Sequence, residues 1–136
     1  MAIIGLALLA APRVVLHDLG LISEGTFLNA LFVFLPPLIW IVVALWKRVP
    51  NPFLTLLVVG AIYGVFLAIG HQLLWNVSFG ENPPQLGGNL TDLDLGVQSI
   101  IVRLFAALSS LLTGVIVGAM SGLIAWGLGT VTHRTR

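Results

Sequence analysis

The chain has 136 residues, 58% of them hydrophobic and only 8% charged, with a mean hydropathy of +1.08. Soluble domains are nearer half apolar and about a quarter charged. A water-soluble fold of this composition would leave large apolar patches in water, so lipid is the better solvent. The formal net charge of +1 excludes a polybasic nucleic-acid surface. The absence of cysteine excludes disulfides, thiolate metal sites and cysteine nucleophiles.

Met1 to Ala11 is apolar and is followed by Pro12, Arg13, His17 and Asp18, then by apolar Leu19 to Ile22. Taken as one helix, residues 1–22 would measure about 33 Å, enough to cross a hydrocarbon core of about 30 Å. A signal peptide is the rival, but no basic n-region or small-residue cleavage site is present. Residues 26–46 follow without a charge and predict a second span of about 31 Å. Pro36-Pro37 lies within it. Each proline removes a backbone donor, which predicts a kink near Phe32 and Val33. The basic, proline-rich link KRVPNP then predicts a tight cytoplasmic turn.

Residues 53–75 predict a third span, with His71 and Gln72 near its end. Residues 76–98 read as the outer loop; they carry Glu81, Asp92 and Asp94 and no base, and contain Pro83-Pro84 and Gly87-Gly88. From Gln98 to Leu128 the chain is apolar except for Arg103, and residues 104–128 predict the last span. The tail carries His133, Arg134 and Arg136.

Charge decides orientation. Asp18, Glu24 and the three loop acids fall at one set of span ends, and Lys47, Arg48, Arg134 and Arg136 at the other. Positive ends stay inside. The expectation is one all-α domain, residues 1–136, forming a four-helix bundle in the plasma membrane with both termini cytoplasmic. The alternative is three spans plus an interfacial N-terminal helix.

Small residues recur every fourth position in two spans: Gly60, Gly64 and Ala68 in the third, and Ser110, Gly114, Gly118 and Gly122 in the last. Such grooves let backbones approach closely. They suit packing of these two helices on each other, or a homo-oligomer seam. Trp46, Trp75 and Trp126 lie near span ends and read as interfacial anchors.

The candidate site is a polar constellation at one depth: Arg13, His17, Asp18, Glu24, His71, Gln72 and Arg103. On a continuous helix Arg13, His17 and Glu24 share a face, with Gly20 allowing close approach of a neighbour. Ionisable groups inside a membrane are expensive and face protein or a water-filled cavity. One reading is a structural clasp in which Arg13 and Arg103 pair with Asp18, Glu24 or the loop acids. A second is an outward-facing pocket that binds or passes a small polar or anionic species, the arginines gripping an anion and the histidines responding to pH. A third is a bis-histidine haem or a metal site on His17 and His71.

No triad, phosphate-cradling loop or dinucleotide fingerprint supports an enzyme. Three functional expectations follow: a pocket protein, an accessory or assembly subunit docked on a larger membrane partner, and a haem redox subunit.

Overall fold

The computed structural model describes residues 2–134, with side chains described as far as Val131. Met1 and Arg136 therefore lie outside the described residues, as do the side chains of His133 and Arg134 in the basic tail. Among the described residues the chain is all-helical, without strands: α1 (Ala2–Ala10), α2 (Pro12–Asp18), α3 (Phe27–Trp46), α4 (Pro52–Phe79) and α5 (Leu95–Arg134). Three of these, α3, α4 and α5, are long and apolar enough to cross a membrane.

The N-terminal 22 residues do not form the single helix expected from their length. Pro12 has no N–H, so the ladder breaks between α1 and α2. Ala11 nevertheless stays right-handed (φ −63°, ψ −33°), and Ala11 N–H donates to the Leu8 carbonyl at 3.1 Å. The break is a local tightening with Pro12 at the first position of α2, where its missing donor is harmless. Helix α2 then stops at Asp18. Gly20 adopts φ +70°, Gly20 N–H donates to the His17 carbonyl and Leu21 N–H to the Leu16 carbonyl, each at 2.9 Å. This is a Schellman stop. Gly20 has open space around its Cβ position, so its role is the turn and not the close approach expected of it.

Helix α3 starts on Thr26, whose hydroxyl accepts from Asn29 N–H, and runs unbroken through Pro36 and Pro37 to Trp46. It ends in a second Schellman motif, with Arg48 at φ +49° where glycine is usual. Helix α4 starts on an Asn51 cap with Pro52 behind it, and Leu54 N–H donates to Asn51 Oδ1 at 3.0 Å. It continues to Phe79, so the connecting segment is residues 80–94, shorter than the loop expected from hydropathy. Gln98 holds that segment together. Its Oε1 accepts from Leu86 N–H at 3.1 Å, and its Nε2 donates to the carbonyls of Leu93 at 2.9 Å and Thr91 at 3.2 Å.

Helices α4 and α5 make the most extensive contact in the molecule and run antiparallel. The glycines set the spacing. A Cβ on Gly60 would strike the backbone of Gly114 and Gly118, one on Gly118 would meet the Leu56 carbonyl at 2.6 Å, and one on Gly122 the Phe53 carbonyl at 2.8 Å. A Cβ on Gly64 would lie 3.1 Å from the Ser110 carbonyl, and Ala68 is half-buried one turn further on. Both small-residue grooves thus face each other within one chain.

Against this pair lie the other helices. Trp40, Leu56 and Val59 are fully buried at the centre, with Ala7, Ala10, Val14, Tyr63 and Ala125 around them. Trp40 Nε1 donates to the Leu6 carbonyl at 2.7 Å and its ring meets Tyr63 edge-on at 5.8 Å. Val14 packs against Gly70. The N-terminal pair therefore climbs beside α4, from the depth of Trp40 to that of Gly70. The opposite helix faces present large apolar side chains outward, including Phe27 (83% exposed), Phe34, Leu38, Phe105, Leu112 and Met120. An apolar exterior around a packed interior is what lipid, not water, stabilises.

Candidate functional site

The sequence-predicted polar residues separate into three groups around the end of the bundle where α2 stops and α4 finishes. Asp18 is the centre of the first. It is the last residue of α2, and its side chain is only 6% exposed. A buried carboxylate needs hydrogen-bond donors. His71, on the last third of α4, supplies one: its Nδ1 lies 2.7 Å from Asp18 Oδ2. With its proton on Nδ1, His71 donates to the carboxylate. His17, the preceding residue, places its own Nδ1 at 3.4 Å from Oδ1, a longer contact. On its far side His17 Nε2 faces the exposed Glu24 at 3.7 Å. Ser78, seven residues after His71 and so on the same face of α4, donates to the Asp18 backbone carbonyl at 3.1 Å.

His17, Asp18, His71 and Ser78 line a cavity of about 540 Å³, within the range of small-molecule sites. His17, Asp18 and Gly20 form one wall, His71, Trp75, Ser78 and Phe79 of α4 a second, and Ala106, Ser109 and Ser110 of α5 a third. One turn below His71, Leu67 is buried, and beyond it Tyr63, Val59 and Leu56 fill the axis. The cavity is therefore a vestibule at one end of the bundle, closed by apolar packing towards the Lys47 end.

The arginines stand apart from it. Arg13 Nε donates to Asn29 Oδ1 at 3.1 Å, and the guanidinium lies in reach of Tyr63. Arg103 Nη2 donates to Asn76 Oδ1 at 3.4 Å and its guanidinium sits 5.0 Å from the Trp75 ring centre. Gln72 Nε2 donates to the Arg103 carbonyl at 3.1 Å, which ties α4 to α5. The expected arginine–carboxylate clasp is thus replaced: among the described residues, the ion-pair partners of Asp18 and Glu24 are histidines. Arg13, Glu24, Gln72 and Arg103 do not line the cavity. Trp75, expected at the lipid interface, is 5% exposed and packs on Phe79 at 4.8 Å.

The site also contains residues that the sequence did not assign to it: Ser78, Phe79, Ser109 and the inward-turned Trp75. Ser78 had a usable signal, its helical register with His71. His17 and His71 both turn Nδ1 to one carboxylate, so a haem iron would have to be reached through Nε2, and that atom of His17 faces Glu24. Among the described residues, no group of three or more histidine and acidic side chains is arranged to hold a metal ion.

Fold and site together define a helical membrane bundle with a polar vestibule built on a buried carboxylate. No protein-family model, no curated protein and no solved structure matches the chain.

Proposed function

We propose that this protein is a plasma-membrane bundle whose vestibule opens to the outside and binds a small polar species at Asp18 and His71. The observation that carries the reading is the buried Asp18 carboxylate, held by His71 at 2.7 Å on the wall of a cavity of about 540 Å³. A membrane-buried charge is retained where it has work to do on a ligand, ion or proton. The apolar packing below Leu67 favours binding over free passage.

The same proposal takes four passes with both termini inside. Its support is the climb of α1 and α2 beside α4, together with the charge split, which puts Lys47 and Arg48 at the inner turn and the acids at the vestibule end. The surrounding bilayer is the partner that the apolar exterior requires.

A chain without cysteine makes the orientation test clean. Ala2→Cys, Ser109→Cys and Asn89→Cys are treated in intact cells with a membrane-impermeant thiol reagent. Ser109→Cys and Asn89→Cys are expected to react and Ala2→Cys to react only after permeabilisation; the reverse pattern refutes the orientation. Native mass spectrometry of the gently released protein then tests binding. A small-molecule mass carried by the wild type and lost from Asp18→Asn, with helicity unchanged, is the expected result. Equal retention by both proteins refutes the site.

A further inference from the structure

The vestibule has a chemistry that selects among small polar species. Among the residues that line it Asp18 is the one acid, and no lysine or arginine is present. Glu24, beyond His17, adds a second negative charge at 3.7 Å from that ring. Arg13 and Arg103 are engaged elsewhere, so an anion entering the vestibule would meet no arginine or lysine on its wall, and burial would strengthen its repulsion from the Asp18 carboxylate.

The same cavity also has an aromatic wall. Trp75 and Phe79 pack at 4.8 Å with their planes tilted by 56°. Trp75 already takes the Arg103 guanidinium as a cation–π partner. Phe79, 39% exposed and lining the cavity, has no cationic partner among the described contacts. A carboxylate facing aromatic rings is the arrangement that recognises an alkylated ammonium group: charge attraction from one side, ring faces from the other, and no demand for strong hydrogen bonds.

Building on the outward vestibule proposed above, we infer that its ligand class is a small organic cation, a protonated or quaternary amine, seated between the Asp18 carboxylate and the Trp75–Phe79 rings. The serine hydroxyls of Ser78 and Ser109 accept from any N–H or O–H the cation carries. Arg103, behind Trp75, is a positioning residue that opposes the bound charge.

The test is calorimetric titration of the full chain in detergent with three probes. These are choline, its uncharged carbon analogue with tert-butyl in place of trimethylammonium, and acetate. Choline is expected to bind most tightly. Asp18→Asn is expected to weaken it at least about tenfold, as for loss of a charge-assisted contact. Phe79→Leu, at the half-exposed rim where folding is not at stake, is expected to weaken it about two- to fivefold. Arg103→Gln should tighten it, a sign that a merely structural role would not produce. If the uncharged analogue binds as well as choline and both weaken in Asp18→Asn, the vestibule stands and the cation inference falls. Preferred binding of acetate overturns the cation inference as well. If none of the three probes binds, both proposals fail.

Discussion

Gly114→Ala adds one methyl group to the α4–α5 seam and should destabilise the protein, although alanine is the better helix former. An alanine Cβ there would overlap the Gly60 carbonyl and the Gly64 backbone, which cannot rotate away as a side chain can. The neighbouring Gly118 gives the scale. Its Cβ would lie 2.6 Å from the Leu56 carbonyl, where ordinary contact begins at 3.4 Å. The helices would have to part by about 0.8 Å, and a gap of that size forfeits roughly a quarter to a half of each dispersion contact along the seam. Overpacking of this kind costs about 1–3 kcal/mol, against a propensity gain of about 1 kcal/mol. The steric term wins, leaving a net loss of up to about 2 kcal/mol at a site where backbone atoms of both Gly60 and Gly64 are struck. Gly127→Ala is the matched control on the same helix. Nothing lies within 4 Å of its Cβ position, so only propensity acts, and a gain of up to about 1 kcal/mol is expected. Equilibrium unfolding in mixed micelles, followed by far-ultraviolet circular dichroism, compares the two. If Gly114→Ala is as stable as Gly127→Ala, the seam is not closely packed and the reasoning fails.

Three further perturbations probe other parts of the fold. Trp40→Phe keeps the ring against Tyr63 but removes the donor to the Leu6 carbonyl; interhelical bonds of this type contribute about 0.6–2 kcal/mol, and a loss in that range by the same unfolding assay is expected. An unchanged stability would mean that α1 is held by packing alone. Gln98→Leu strips the 80–94 segment of its three-way tie, so hydrogen exchange should accelerate about tenfold or more at Leu86 while the α4–α5 seam stays protected. Uniform acceleration through the seam would show that Gln98 supports the whole bundle instead. Arg48→Gly relieves a left-handed backbone that costs a side-chain-bearing residue about 1–2 kcal/mol, so a gain of about 1 kcal/mol is expected, and Arg48→Ala should give none. Equal gains from both would assign the effect to charge.

What the sequence revealed and what it concealed divide along a physical line. Hydropathy and charge are local properties, and they located the three long helices. Close packing was legible too, because a glycine every fourth residue has few other uses in an apolar helix. The polar site was legible as a set of residues but not as a set of pairs. Arg13, His17 and Glu24 share a face only on a helix that continues, and Gly20 at φ +70° ends it first. Charge matching alone favours arginine for Asp18, since a guanidinium offers the stronger ion pair. Geometry decides otherwise. Asp18 ends α2 beside the face of α4 that carries His71 and Ser78, whereas Arg13 is five residues back along the chain, against Asn29 of α3. Arg103 reaches from α5 to Asn76 and Trp75 of α4. The pairing is set by helix rotation, a tertiary property that depends on where Gly60, Gly64, Gly114 and Gly118 let the two long helices settle. The same rotation turns Trp75 inward, away from the interface that its position near a span end suggested. The glycine seam and the vestibule are therefore one structural problem: the register of α4 on α5 sets Ser110 beside Gly64 and Arg103 beside Gln72, and so brings Ser109 and Ser110 to the cavity that His71 lines. Seam variants that shift this register should alter the vestibule before they unfold the bundle.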